Sequence, residues 1–319
     1  MAGLAATLII GLVAAGVISS LLVAQLRGIS LPQAIAFLKL KILFRLRLPR
    51  ETAPAPRGPV LHVYSRQSGL DAAVLWSVLG RDCLHVLQED DRRSLILWAM
   101  RLFARTAPEG DVAAIEAALA AGAPVAVGFP HSIEPAPETL ARYKDLAAIA
   151  RRHSVPVRAW HVTGSSLSLW SARPPSEAPR HLLPRLTLSM SGLLDYGDIG
   201  PADNGASAPR DEDRLHDLLA LARFRGNDFD RGLFLAFRDA ADRYGKAGPV
   251  LEDALGGRLS YKKLLIGARA LGVRFETMSR PGEALGILLP NANAVIVTFL
   301  ALQSAGRVAA MLNYTAGSA

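Results

Sequence analysis

Arg66 and Asp71 are the first residues whose types and spacing point to chemistry, because they stand five positions apart directly after the apolar run Val60 to Tyr64. A guanidinium with a pKa above ~12 cannot accept a proton at neutral pH, so Arg66 is not a base. The pair reads instead as an ion pair, or as a grip on phosphate in which Arg66 binds in bidentate fashion. A base has to come from the seven histidines, 62, 85, 131, 153, 161, 181 and 216. They show no HExxH or other metal-ligand spacing, so scattered core or surface histidines are the expectation, and His131 and His62 are the two alternatives for a base. Cys83 stands alone, which excludes an internal disulfide and a cysteine zinc site. Thr163-Gly164-Ser165-Ser166 looks like a phosphate loop but has no lysine after it, and a simple turn is expected. The chain contains neither GxxxxGK[ST] nor GxGxxG, which leaves P-loop and dinucleotide-binding readings unsupported.

The elements that must position these residues alternate. Val60–Tyr64 predicts a strand, Gly69–Leu79 a helix, Ser94–Arg105 and Val112–Ala121 helices, Pro124–Phe129 a strand, Pro137–His153 a helix and Val155–Val162 a strand. Strands alternating with helices predict an α/β layer fold. Gly200–Asp213 is polar and rich in turn formers, and residues 201–228 are expected as a linker. Beyond it, apolar residues at helical spacing from Asp228 to Tyr244 predict an amphipathic helix. Ser260 is expected to cap a helix from Tyr261 to about Leu271, closed by Gly272. A strand over Gly282–Leu289, a helix from Asn291 or Asn293 to Ser304, and a parallel strand over Val308–Leu312 complete the pattern.

Three of these segments resemble glycerolipid acyltransferases. That family carries a His-x4-Asp box after its first strand, a Phe-Pro-Glu-Gly box after a later one, and a Val-Pro-Val strand. Here the matching stretches are Ser65-Arg66-Gln67-Ser68-Gly69-Leu70-Asp71, Phe129-Pro130-His131-Ser132 and Val155-Pro156-Val157. The resemblance implies catalytic positions at Asp71 and Arg66, with Arg66 in place of the base histidine, and at His131. It implies substrate-binding positions at Ser68, Phe129, Pro130 and Ser132. His131-Ser132 replaces the Glu-Gly of the second box, and His62 cannot rebuild the spacing to Asp71. The implied domain is a degenerate acyltransferase.

Residues from Leu233 onward are similar to the opening of adenylate-forming ligases, through Ser260-Tyr261-Lys262-Lys263-Leu264, Gly286-Ile287-Leu288-Leu289-Pro290-Asn291 and Gly306 to Asn313. The ligase-motif positions implied are Pro290, Asn291, Asn313, Tyr314 and Thr315. With the acyltransferase-like half ahead of it, the chain resembles the bifunctional 2-acylglycerophosphoethanolamine acyltransferase/acyl-[acyl carrier protein] synthetase family. The fold expected is α/β: a transmembrane helix, an acyltransferase-like domain and an incomplete ligase segment. The organisation expected is residues 1–27 as anchor, 28–51 as a basic interfacial segment, 52–200 as the degenerate domain, 201–228 as linker and 229–319 as a truncated ligase. The resemblance implies an acyltransferase and an ATP-dependent fatty acyl ligase, but both sites are expected to be incomplete here. The alternative is a non-catalytic lysolipid or acyl-chain binder, or a scaffold. No cofactor is expected for this chain; ATP and Mg²⁺ enter only if a longer native chain completes the ligase. A membrane phospholipid or lysophospholipid and acyl carrier protein are the implied partners.

Charge places these parts. The chain carries 36 basic and 28 acidic residues, a net +8. Six of the bases, Arg27, Lys39, Lys41, Arg45, Arg47 and Arg50, lie in the first fifty residues, which hold no acid. The excess is juxtamembrane, and a nucleic-acid-binding body is disfavoured. Ala2–Leu26 has no charged residue and is long enough to cross a ~30 Å hydrocarbon core. A single-pass anchor with the body on the cytoplasmic side is expected from the positive-inside rule. A signal peptide fits less well, since no base precedes the apolar run. Leu31–Leu48 interleaves bases with apolar residues. It either lies in an anionic headgroup layer or packs on the body with its bases in solvent.

Overall fold

The computed structural model describes residues 2–49, 58–88, 100–132, 134–172, 174, 179–196, 210–227, 229–254 and 256–313. The chain divides into two compact units, Met1–Asn227 and Asp228–Ala319.

The first unit is built on a six-stranded sheet. Its strands are β1 (Leu61–Arg66), β2 (Leu84–Leu87), β3 (Arg105–Pro108), β4 (Val125–Pro130), β5 (Val157–Thr163) and β6 (Thr187–Leu194), in spatial order β3-β2-β4-β1-β5-β6. The first five run parallel and β6 pairs antiparallel with β5. β1 is central, with Leu61 to Arg66 in register with Val125 to Pro130 on one side and Leu61 to Tyr64 with Val157 to Trp160 on the other. Helices cover both faces, so the inner strands are apolar on both, which is why they read as continuous hydrophobic runs.

Two cores result. On one face Leu61, Val63, Val125, Val127, Phe129, Val157 and Ala159 pack under α4 (Val112–Ala120), α5 (Pro137–Arg152) and α6 (Asp211–Arg225). On the other, Tyr64, Ala126, Trp160 and Val162 pack under α3 (Gly69–Val78) and α2 (Leu31–Leu43). Each fully buried large apolar side chain contributes ~1.5–3 kcal/mol. The stretch expected as linker therefore contains a 15-residue helix, α6, which buries Leu215, Leu218, Leu219 and Ala222 against the sheet. The helix expected over Ser94–Arg105 falls mostly outside the described residues; Met100 to Phe103 are helical and Arg105 opens β3.

At the start of the chain, α1 (Ala2–Arg27) is followed by α2, whose N-cap Ser30 forms a capping box with Gln33. The Gln33 amide also donates to the Trp76 and Leu79 carbonyls at 2.8 and 3.1 Å, closing the end of α3. Phe37 and Leu40 bury against the body, while Ile42, Leu43, Lys39, Lys41 and Arg45 stay exposed. Among the described residues no single helix is long and apolar enough to cross a membrane. Ala14–Arg27 and Leu31–Leu43 meet the length and composition test together, bent by 108°.

The second unit contains α7 (Leu233–Tyr244), a β7–β8 hairpin (Pro249–Glu252, Arg258–Ser260), α8 (Tyr261–Met278), β9 (Ala284–Ile287), α9 (Asn293–Ser304) and β10 (Val308–Met311). β9 and β10 are parallel. Ser260 caps α8 by accepting from the Lys263 amide. The helix does not stop at Gly272. It runs two more turns, because Gly272 serves as a contact point: a Cβ there would lie 2.4 Å from Ser304 Oγ and 3.1 Å from the Ala301 carbonyl of α9. Gly272→Val should therefore lower the stability of this unit by about 1–3 kcal/mol, read as a drop in its urea midpoint.

Candidate functional site

The chemistry-bearing residues gather at the carboxyl ends of β1, β4 and β5, where open parallel sheets present ligand sites. They divide between the two faces of the sheet.

On the α3 face, β1 ends at Arg66 and the chain turns through Gln67 into the N-cap Ser68. Asp71, at the third position of α3, reaches back: its Oδ2 accepts the Gln67 and Ser68 amides at 2.5 and 2.8 Å, while Ser68 Oγ accepts the Leu70 amide at 3.1 Å. The spacing seen in the sequence is thus a strand-to-helix turn closed by a carboxylate. Asp71 is fully buried, and burial pushes its carboxyl up to about 7 against the downward pull of the Ser165 hydroxyl, the two amides and the Arg66 charge. Ser165 gives its own proton to the Val162 carbonyl at 3.0 Å, so Asp71 Oδ1 is left without a donor. Ser165 lies in a turn set by Gly164, at φ +94°, where a Cβ would collide with the Arg185 carbonyl. The Thr163–Ser166 turn thus places the Ser165 hydroxyl beside the Asp71 carboxyl. Nearby in the same layer, burial pushes His62 and His85 down to about 3, with Arg158 and His85 charges adding to the effect on His62.

On the opposite face a cleft of about 100 Å³ opens between the ends of β1 and β4 and helix α6. Ser65, Pro130, His131, Ser132, His216 and Arg223 line it, with Tyr143 beneath. Ser65 Oγ and His161 Nδ1 are 2.8 Å apart, and the His131 and His161 rings stack loosely at 5.9 Å. Burial, followed by the His131 and Arg223 charges, pushes His161 down to about 3, so its ring is neutral at physiological pH. Ser189 on β6 anchors α6 here by donating to the Ala222 carbonyl at 2.8 Å. Gly226 lets the end of that helix come close, since a Cβ there would lie 2.8 Å from Ser189 Oγ.

The residues expected from sequence therefore separate. Arg66, Ser68 and Asp71 share the α3 turn. Pro130, His131 and Ser132 line the cleft across the sheet, and the His131 amide donates to the Arg66 carbonyl at 3.1 Å. Phe129 is wholly buried, edge-on to Tyr143 with ring centroids 4.7 Å apart, and packs the core. Ser68 is a helix cap. Sequence reading passed over Ser65, His161, His216 and Arg223. The first two carried a signal: each is a polar residue in phase with an apolar alternation, after Leu61 and Val63 and after Val157 and Ala159. Among the described residues no three His, Cys, Asp or Glu side chains converge as metal ligands.

In the second unit Pro290 and Asn291 lie in the turn between β9 and α9, and Asn313 follows β10. Tyr314 and Thr315 lie outside the described residues. α9 begins without a side-chain cap, and its first turn holds no acid.

The first unit is a mixed α/β fold on a mainly parallel sheet, with its polar residues at the carboxyl edge. No family model matches the sequence. Among solved structures, the chain has a loose likeness to the 1-acyl-sn-glycerophosphate (LPA) acyltransferase of Thermotoga maritima, with 13% identity, a TM-score of 0.42, and coverage of 61% of this chain and 80% of that one.

Proposed function

We propose that the first unit is a glycerolipid acyltransferase-type domain that takes lysophospholipid at a membrane surface, and that Arg66 has replaced its catalytic base. The observation that carries this reading is the turn from β1 into α3. Arg66 ends the central strand and Asp71 occupies the third helical position, where a base and its partner carboxylate would have to stand. A histidine at position 66 would supply a proton acceptor beside a carboxyl group; an arginine cannot. The second unit is read, on its Pro290-Asn291 and Asn313 motifs, as the opening of an adenylate-forming ligase. Acyl carrier protein would then be the thioester carrier, and ATP with Mg²⁺ would act only on a longer chain.

The N-terminal helices support the membrane reading. α2 buries Phe37 and Leu40 on the body and leaves Ile35, Ile42 and Leu43 exposed among Lys39, Lys41 and Arg45. Such a face can enter an anionic headgroup layer, with each lysine near the surface contributing about 1 kcal/mol. Flotation of the full chain with vesicles of anionic phospholipid and lysophosphatidylethanolamine should recover it with the vesicles. The charge reversals Lys39→Glu and Lys41→Glu together should weaken recovery by at least about tenfold. Equal recovery of wild type and variant would contradict the surface role of α2. Wild-type acyl transfer to the lysolipid well above a protein-free blank would contradict the loss of the base.

A further inference from the structure

Two segments that the acyl-transfer reading does not use meet beside the β1–α3 turn. The loop after β5 lays its backbone on that turn: the Gly69 amide donates to the Trp170 carbonyl at 3.3 Å, and the Ala172 amide to the Gln67 carbonyl at 2.9 Å. Arg180 fixes the loop by donating to the Ser166, Ser168 and Ser171 carbonyls at 3.5, 3.5 and 3.3 Å. Ser168 and His181 form a parallel bridge, so Leu169-Trp170 and Leu182-Leu183 leave it side by side and in the same direction. All four side chains are exposed, Leu169 by 50% and Leu182 by 66%. Trp170 also sets its ring 6.3 Å from that of Phe44, which joins the loop to the end of α2 and its exposed Leu43. A loop held this firmly keeps a group of large apolar side chains in water, and such a patch marks a contact surface.

Charge identifies the partner. Arg45, Arg47 and Arg185 are exposed where the chain after α2 pairs with the start of β6, next to the patch. Among the described residues, 2–49 and 157–194 hold no Asp or Glu. From this arrangement we infer that Leu169, Trp170, Leu182 and Leu183 form a membrane-inserting tip, which seats the β1–α3 turn against an anionic lipid surface. The leucines bury below the headgroups, the indole sits at their level, and the guanidinium groups meet lipid phosphate. A second copy of the chain fits the patch less well, because a symmetric contact would bring these arginines against their own copies. The loop touches the turn through Gly69 and Gln67, so the tip sets how the end of β1 faces the lipid.

The inference rests on the membrane reading of the first unit and adds to it a contact that α2 does not supply. Full-length Leu169→Cys and Leu182→Cys variants, with Ala117→Cys on α4 under the other face of the sheet as control, each carry a polarity-sensitive dye on the new thiol; Cys83 is buried. A melting curve that matches the wild type shows that each variant is folded. The proteins are placed in nanodiscs of phosphatidylcholine and phosphatidylglycerol that contain a spin-labelled quencher lipid. Quenching at positions 169 and 182 should be at least about threefold that at 117. Replacing phosphatidylglycerol by phosphatidylcholine should reduce it at least about twofold. Quenching no greater than at 117, in a chain that is recovered with the discs, overturns the inference and leaves the membrane reading in place. A chain that does not associate with anionic lipid at all overturns the membrane reading, and the inference with it. Equal quenching in discs of phosphatidylcholine alone, or a lipid-free dye shift that grows with protein concentration, assigns the patch to neutral lipid or to a second copy and overturns the inference.

Discussion

Arg66→His should give the chain a lysophospholipid acyltransferase activity at least about 100-fold above the wild-type background, since a positioned general base contributes roughly 10²–10⁴. The substitution places an imidazole at the end of β1, one turn from a carboxyl that is already fixed by the Gln67 and Ser68 amides. Asp71 would be able to orient the imidazole through its Oδ1, which no donor occupies while Oδ2 holds the two amides. Arg66→Ala removes the guanidinium without adding a base and should stay at background. Transfer of a labelled acyl chain from acyl carrier protein thioester to lysophosphatidylethanolamine in vesicles reads the difference.

The stability of the first unit should rise with pH between about 4.5 and 6, and Asp71→Asn should make that rise steeper. Buried His62, His85 and His161 are pushed down to about 3, below their ordinary value near ~6.5. In this window the unfolded chain binds protons on all three and the folded chain does not, so each imidazole adds stability as pH rises. Asp71 acts in the opposite sense. Its folded carboxyl, pushed up to about 7, stays protonated where an unfolded one near ~3.9 is ionised, so its contribution is lost as pH rises. Three imidazoles against one carboxyl leave a net of about two protons, each giving about 1.4 kcal/mol per pH unit. The asparagine variant removes the opposing term and raises the slope to about three. All four tryptophans lie at positions up to 170, so tryptophan fluorescence during urea unfolding follows this unit alone. A slope that falls with pH, or one unchanged by Asp71→Asn, would contradict the burial of these groups as uncharged species.

The parts of the fold that were legible in the sequence are those in which one segment carries its own signal. β1, β4 and β5 are apolar runs because both faces of an inner parallel strand are buried, and α5 shows its helical spacing plainly. The α3 turn was legible as Arg66-x4-Asp71 because a capping carboxylate has to come at a fixed offset from its cap. What escaped depends on distant partners. α6 follows a polar, turn-rich stretch, and its apolar stripe of Leu215, Leu218, Leu219 and Ala222 is short, so the sequence there resembles a linker. The Ser65–His161 pair joins residues 96 positions apart, and only the β1–β5 register brings them together. His216 and Arg223 enter the same cleft from α6, so a reading that missed the helix also missed them. Gly272 resembles a stop because a glycine after an apolar stripe often ends a helix. The close approach of α9, which requires it instead, is tertiary.

The central claim is that the β1–α3 turn is an acyltransferase-type site whose base position is held by Arg66. Acyl transfer measured in parallel for Arg66→His and for Arg66→His combined with Asp71→Asn tests it most directly. The account predicts turnover in the single variant and its loss to background in the double variant, with both proteins folded by tryptophan fluorescence. Background activity in a folded Arg66→His chain, or equal turnover with and without the Asp71 carboxyl, would contradict it.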